Sequence, residues 1–88
     1  MIQVVVSVKD LAAQAFGRPV FVPTAGVAIR SFRDEVNREA PDNEIFRHPA
    51  DYELYQIGTF DDSIGLVEAL QPPKLLSRAL DLSERGGS

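Results

Sequence analysis

Apolar and polar residues alternate from Ile2 to Lys9, with Ile2, Val4, Val6 and Val8 on one side and Gln3, Val5, Ser7 and Lys9 on the other. Period-two alternation marks a β-strand, and the extra Val5 predicts a second face that is covered in part. Asp10 is placed to cap a helical turn over Leu11 to Phe16, which Gly17 would end in the left-handed conformation that glycine tolerates. Val20, Phe21 and Val22 form a second short strand, and Pro23 stops it because proline has no N–H for a ladder. The period then changes to that of a helix. Ala25, Ala28, Ile29, Phe32 and Val36 share one stripe. Thr24 can cap their helix, its hydroxyl accepting from an orphan backbone N–H. An amphipathic helix is predicted over Thr24–Glu39, with Arg30, Arg33, Asp34, Asn37 and Arg38 largely on its polar side. The spacing allows Arg30–Asp34 and Asp34–Arg38 pairs along that side.

Ala40 to Pro49 reads as a loop, with Asp42, Asn43 and two prolines as turn-formers and Ile45 and Phe46 pinning it to the core. Tyr52 to Phe60 is the next strand. Simple alternation groups Tyr55 with Glu53, Ile57 and Thr59, and Phe60 with Tyr52, Leu54 and Gln56. Asp61, Asp62, Ser63 and Gly65 supply a turn, and Leu66 to Leu70 returns as the partner of a hairpin. Pro72 and Pro73 are expected to break that strand. Leu75, Leu76, Ala79, Leu80 and Leu82 then form a short helix or an edge strand, with Pro73 tipping the choice to helix. Residues 1–82 make one domain and residues 83–88 a disordered tail. The expected fold is α+β: a small antiparallel sheet of three to five strands with the one main helix packed on one face.

A chain of 88 residues can bury only a modest core, so self-association is a plausible aid to stability. The absence of cysteine removes disulfides, thiol catalysis and thiolate metal sites. No apolar run approaches the ~20 residues that span a bilayer, and the N-terminus reads as a strand and not as a signal peptide. Net charge is −4, from nine Lys and Arg against thirteen Asp and Glu, which argues against tight, indiscriminate phosphate binding and confines any anion site to a local patch.

His48 stands alone among histidines, and Asp61–Asp62 is the single candidate carboxylate pair. His48 and Asp51 could serve acid–base chemistry in principle, but a histidine before proline in a loop is more often structural. No nucleophile motif or phosphate-cradling glycine loop is present. No cofactor, no metal and no catalytic activity are expected. Phe21, Phe32 and Phe46 are assigned to the core. Tyr52, Tyr55 and Phe60 do not all share one face under strict alternation, so at least one ring should be exposed. Exposed sheet aromatics near arginines stack single-stranded bases or join copies of a chain.

Several phrases are recognisable as such: SVKD at Ser7–Asp10, FGRPVFVPTAGVAIRSFRDEVN at Phe16–Asn37, HPADYELYQIGTFDD at His48–Asp62, and the Leu- and Pro-rich ending. In these the chain resembles the small nonstructural proteins of gokushovirus-type microviruses, tailless phages with single-stranded circular DNA. The resemblance runs from about Val4 to Leu82. It implies a non-enzymatic protein of the host bacterial cytoplasm that binds single-stranded DNA, during progeny-strand synthesis or the switch from replication to packaging. Lys9, Arg18, Arg30, Arg33 and Arg47 are the candidates for phosphate contact, and Tyr55 and Phe60 for base stacking. Homo-oligomerisation would multiply a small patch, and phage replication or procapsid proteins are further candidate partners. The competing readings are an interaction module for a replication initiator, procapsid component or host factor that does not itself grip DNA, and a scaffolding protein. No membrane role is implied.

Overall fold

The alternating N-terminal segment becomes strand β1, Ile2–Asp10, the centre of a five-stranded antiparallel sheet in the computed structural model, which describes residues 1–85. On one side β1 pairs with β4, Tyr52–Asp61. On the other it pairs with two short strands, β2 at Ala15–Phe16 and β3 at Val20–Val22. Strand β5, Leu66–Arg78, pairs with β4 and forms the far edge of the sheet.

The segment expected as a helical turn is instead the tip of the β1–β2 hairpin. Asp10 does cap it, Oδ1 accepting from Ala12 N at 3.0 Å and Ala13 N at 3.2 Å. The chain then reverses at Gln14, whose φ of 56° takes the left-handed conformation expected of Gly17. Gly17 continues the ladder, donating to the Val8 carbonyl at 2.8 Å.

Helix α1 spans Ala25–Val36, and Thr24 caps it by accepting from Val27 N. Ala28, Phe32 and Val36 are buried against Val6 and Leu54 of the sheet. The helix stops short of Glu39 because the Asn37 side chain bonds the Arg33 carbonyl as well as the Leu82 carbonyl. Arg38 pairs with Glu35 at 2.8 Å and not with Asp34, and Arg30 and Asp34 form no ion pair among the described residues.

The expected loop carries a short helix, α2 at Glu44–Arg47, and a 3₁₀ turn at Pro49–Asp51. Buried Asn43 organises it. Its Nδ2 donates to the Glu35 and Arg38 carbonyls, both at 2.8 Å, and its Oδ1 caps α2 through Ile45 N and Phe46 N.

Pro72 and Pro73 do not end β5. Gln56 pairs with Lys74 and Gly58 with Ala69, so the residues from Leu70 to Pro73 bulge opposite Ile57. An edge-strand bulge asks nothing of the missing proline N–H. At the neck of the bulge the two backbones close up, and a β-carbon on Gly58 would sit 2.4 Å from the Glu68 carbonyl oxygen. Leu75 to Arg78 therefore remain strand, and only Ala79–Leu82 forms the short helix α3.

α1, α2 and α3 all feed one core with the even-numbered valines of β1. Among the described residues the opposite face of the sheet carries no helix. Beyond Leu82, Ser83 and Glu84 bond back to Ala79 and Asn37, and the Arg85 guanidinium lies on the Phe46 ring and donates to its carbonyl. The rest of the expected disordered tail, residues 86–88, lies outside the described residues.

Candidate nucleic-acid interface

The face without helices is built by a register shift. β1 and β4 pair regularly from Ile2↔Asp61 to Val5↔Gly58, then resume at Val6↔Gln56, leaving Ile57 as an extra residue in β4. A bulge of this kind reverses the in–out phase of a strand. Phe60 pairs with Gln3 and Tyr55 with Ser7, so both rings project from the side of β1 that faces away from α1. Simple alternation had separated them. Phe21 pairs with Val5 and Phe16 with Lys9, which adds two more rings to the same face.

The four rings meet in edge-to-face pairs. Phe16 and Tyr55 have centroids 5.4 Å apart at 68°, and Phe21 and Phe60 have the same separation at 79°. Phe21 is 49% exposed and Phe16 43%, so Phe21 is not the core residue expected of it. Its neighbours, Val20 and Val22, point to the helix side, and strict alternation across the three-residue strand sends Phe21 the other way. Phe32 is buried as expected, and Phe46 is half-buried under Arg85.

Cations flank one end of this face. Lys9 Nζ stands 5.5 Å from the Phe16 ring centroid, in the range of a cation–π contact. Glu53 pairs with Lys9 on one side and Arg78 on the other. Arg78 Nε lies 3.3 Å from one Glu53 oxygen, and the Tyr55 hydroxyl donates to the other at 2.9 Å. Accepting that hydrogen bond, Glu53 holds the Tyr55 phenol above its ordinary pKa, with partial burial adding to the effect. Tyr55 is therefore a fixed donor whose ring is half-buried, as are those of Tyr52 and Phe60, so none of the three rings is fully exposed, contrary to expectation.

The remaining candidates lie elsewhere. Arg30 and Arg33 are exposed on α1, across the sheet from the four rings, and make no ion pair among the described residues. Arg18 lines a cleft of about 290 Å³ between α1 and the β1–β3 pair, whose wall includes Val6, Val20, Val22 and Phe32. Arg47 is engaged by Glu44 at 3.4 Å. Thus the structure brings Lys9, Tyr55 and Phe60 together, joins to them Phe16, Phe21 and Arg78, and leaves Arg18, Arg30, Arg33 and Arg47 on other surfaces.

His48 Nε2 lies 3.6 Å from Glu44, while Asp51 meets His48 only through a backbone bond. Asp61 accepts from the Ser63 hydroxyl and N–H, which lowers its pKa, and Asp62 holds the N-terminal ammonium at 2.9 Å. No helix among the described residues is long and apolar enough to cross a membrane.

The fold is a one-sided α+β domain whose open sheet face carries four aromatic rings. The chain belongs to the Phage ORF5 protein family, whose model matches residues 3–82, and it is thus a small bacteriophage protein. No curated protein and no solved structure matches it.

Proposed function

We propose that this phage protein is a non-enzymatic accessory factor that binds single-stranded DNA on its open sheet face. The carrying observation is that exposed Phe16 and Phe21 and half-buried Tyr55 and Phe60 share one face, with Lys9 and Arg78 at its end. Base–aromatic stacking contributes ~1–3 kcal/mol per base and suits any sequence. The acidic total is compatible with this mode, because stacking carries the affinity and few phosphates need be neutralised. Such binding serves viral single-strand synthesis or the switch from replication to packaging, the role that the gokushovirus-type resemblance implies, and the site of action is the host cytoplasm.

Fluorescence anisotropy with labelled oligo-dT and a matched duplex tests it. Preference for the single strand is expected, with Phe21→Ala or Phe16→Ala weakening it by ~1–3 kcal/mol each. With about two phosphates engaged, log K should fall with log salt at a slope of roughly −1.4. Arg30→Glu with Arg33→Glu should leave affinity nearly unchanged. Loss through the arginine pair alone would move the site to α1. No binding at low salt would refute direct DNA contact and favour the protein-interaction module.

A further inference from the structure

The hairpin of β4 and β5 runs past the helices. The molecule measures 44 × 23 × 20 Å, and its radius of gyration of 13.5 Å exceeds the ~12 Å expected of a compact chain of this length. At the far end Ile2 pairs with Asp61, and Asp61 with Leu66. There Ile2 is 56% exposed, Ile64 69%, Leu66 45% and Val67 60%. Ile2 and Leu66 project from the helix-side face, whereas Val67, paired with Phe60, projects from the open one. The ribbon is therefore apolar on both faces, with no helix on either. With Met1 these residues expose on the order of 500 Å² of apolar surface, near the upper end for a monomer.

Among the described residues the outer edge of β5 has no partner strand. Sheet edges are normally guarded by proline, charged side chains or a bulge. Here Pro72, Pro73 and Lys74 guard the middle of the strand, while Leu66 to Leu70 carries the one charge of Glu68 among four apolar residues.

We infer that two copies of the chain join along the Leu66–Leu70 edge in a two-fold antiparallel pairing that makes one continuous sheet. A second copy fits this edge better than another partner for three reasons. The pairing satisfies the free backbone groups of both edges at once. A two-fold centred on Val67 or Ala69 keeps each face in phase and staggers Glu68 from its own copy; only centring on Glu68 opposes like charges. A two-fold on Val67 also sets the exposed Val67 side chain against its own copy, so that both cover apolar surface that a single chain leaves in water. The open faces then run on across the axis, from Phe21 through Phe60 and Val67 into the same residues of the other copy. The inference stands whether or not that face takes DNA.

Sedimentation without DNA is the test. The full chain is expected at twice its 9.7 kDa mass. Val67→Lys with Ala69→Lys, both exposed in the single chain, should weaken the dimer by tenfold or more, because a two-fold on either residue then opposes two lysines. Circular dichroism confirms that the variant folds. Because the chain has no cysteine, single Cys replacements at Val67 and Ala69 give an independent reading: at least one should cross-link to a dimer under mild oxidation, while Ser31→Cys on α1 should not. A monomer at high concentration overturns the inference. So does a dimer that the lysines leave intact and that neither cysteine traps.

Discussion

Removing the amide of Asn43 tests how the helical layer is held to itself. Its Nδ2 reaches two carbonyls at the end of α1, and its Oδ1 starts α2. In Asn43→Ala the Glu35 carbonyl keeps its bond from Arg38 N at 3.2 Å, whereas the Arg38 carbonyl loses the side-chain donor. An orphaned buried acceptor costs ~1–3 kcal/mol. Loss of the cap adds ~0.5–2 kcal/mol. The sum is about 1.5–5 kcal/mol, a large part of the ~5–15 kcal/mol that holds a typical domain. At ~4–8 °C per kcal/mol for a domain of this size, Tm should fall by about 6–40 °C. Asn43→Asp separates the two effects. It keeps the cap acceptor but has no donor, and it turns a negative charge on two carbonyls. It should therefore be no more stable than Asn43→Ala. Thermal and urea unfolding followed by circular dichroism measure both. A Tm shift under roughly 3 °C for the alanine variant would refute the reasoning. An aspartate variant as stable as the parent would show that the cap alone matters.

Two further outcomes are expected. Gly58→Ala places a β-carbon 2.4 Å from the Glu68 carbonyl oxygen and must push β5 outward, at ~1–3 kcal/mol in urea unfolding; an unchanged midpoint would show that the bulge yields freely. The Arg38 guanidinium holds the Glu35 carboxyl below its ordinary 4.5, so their pair stabilises the fold fully above that pH and loses its effect as pH falls through the depressed value. The Tm gap between the parent and Arg38→Ala should therefore be small, constant above pH 4.5 and closed in acid; a gap that persists in acid would mean that the arginine acts by packing.

What could be read from the sequence was what neighbouring residues decide. Thr24 caps α1, Asp10 caps its turn, and Ala28, Phe32 and Val36 form the buried stripe that their spacing indicates. The β-bulge at Ile57 was not legible, because nothing in YELYQIGTF marks an extra residue; the pairing with β1 and β5 sets it. That one residue reverses the side on which Phe60 stands and so decides whether an aromatic face exists. Pro72 and Pro73 misled for a related reason. Proline forbids a ladder bond only where one is needed, and whether β5 needed one there depended on its place at the sheet edge. The arginines of α1 were conspicuous in sequence because they cluster, yet the sheet separates them from the rings.

The placement of every helix on one face has a consequence for how such a protein can change. Most of the core lies on the helix side of the sheet, and the exposed rings Phe16 and Phe21 lie on the other. Substitutions at Phe16, Phe21 or Val67 change the open face and spare the core, and substitutions at Phe32 or Val36 do the reverse. A lineage built on this fold can vary its open face without first solving its architecture again.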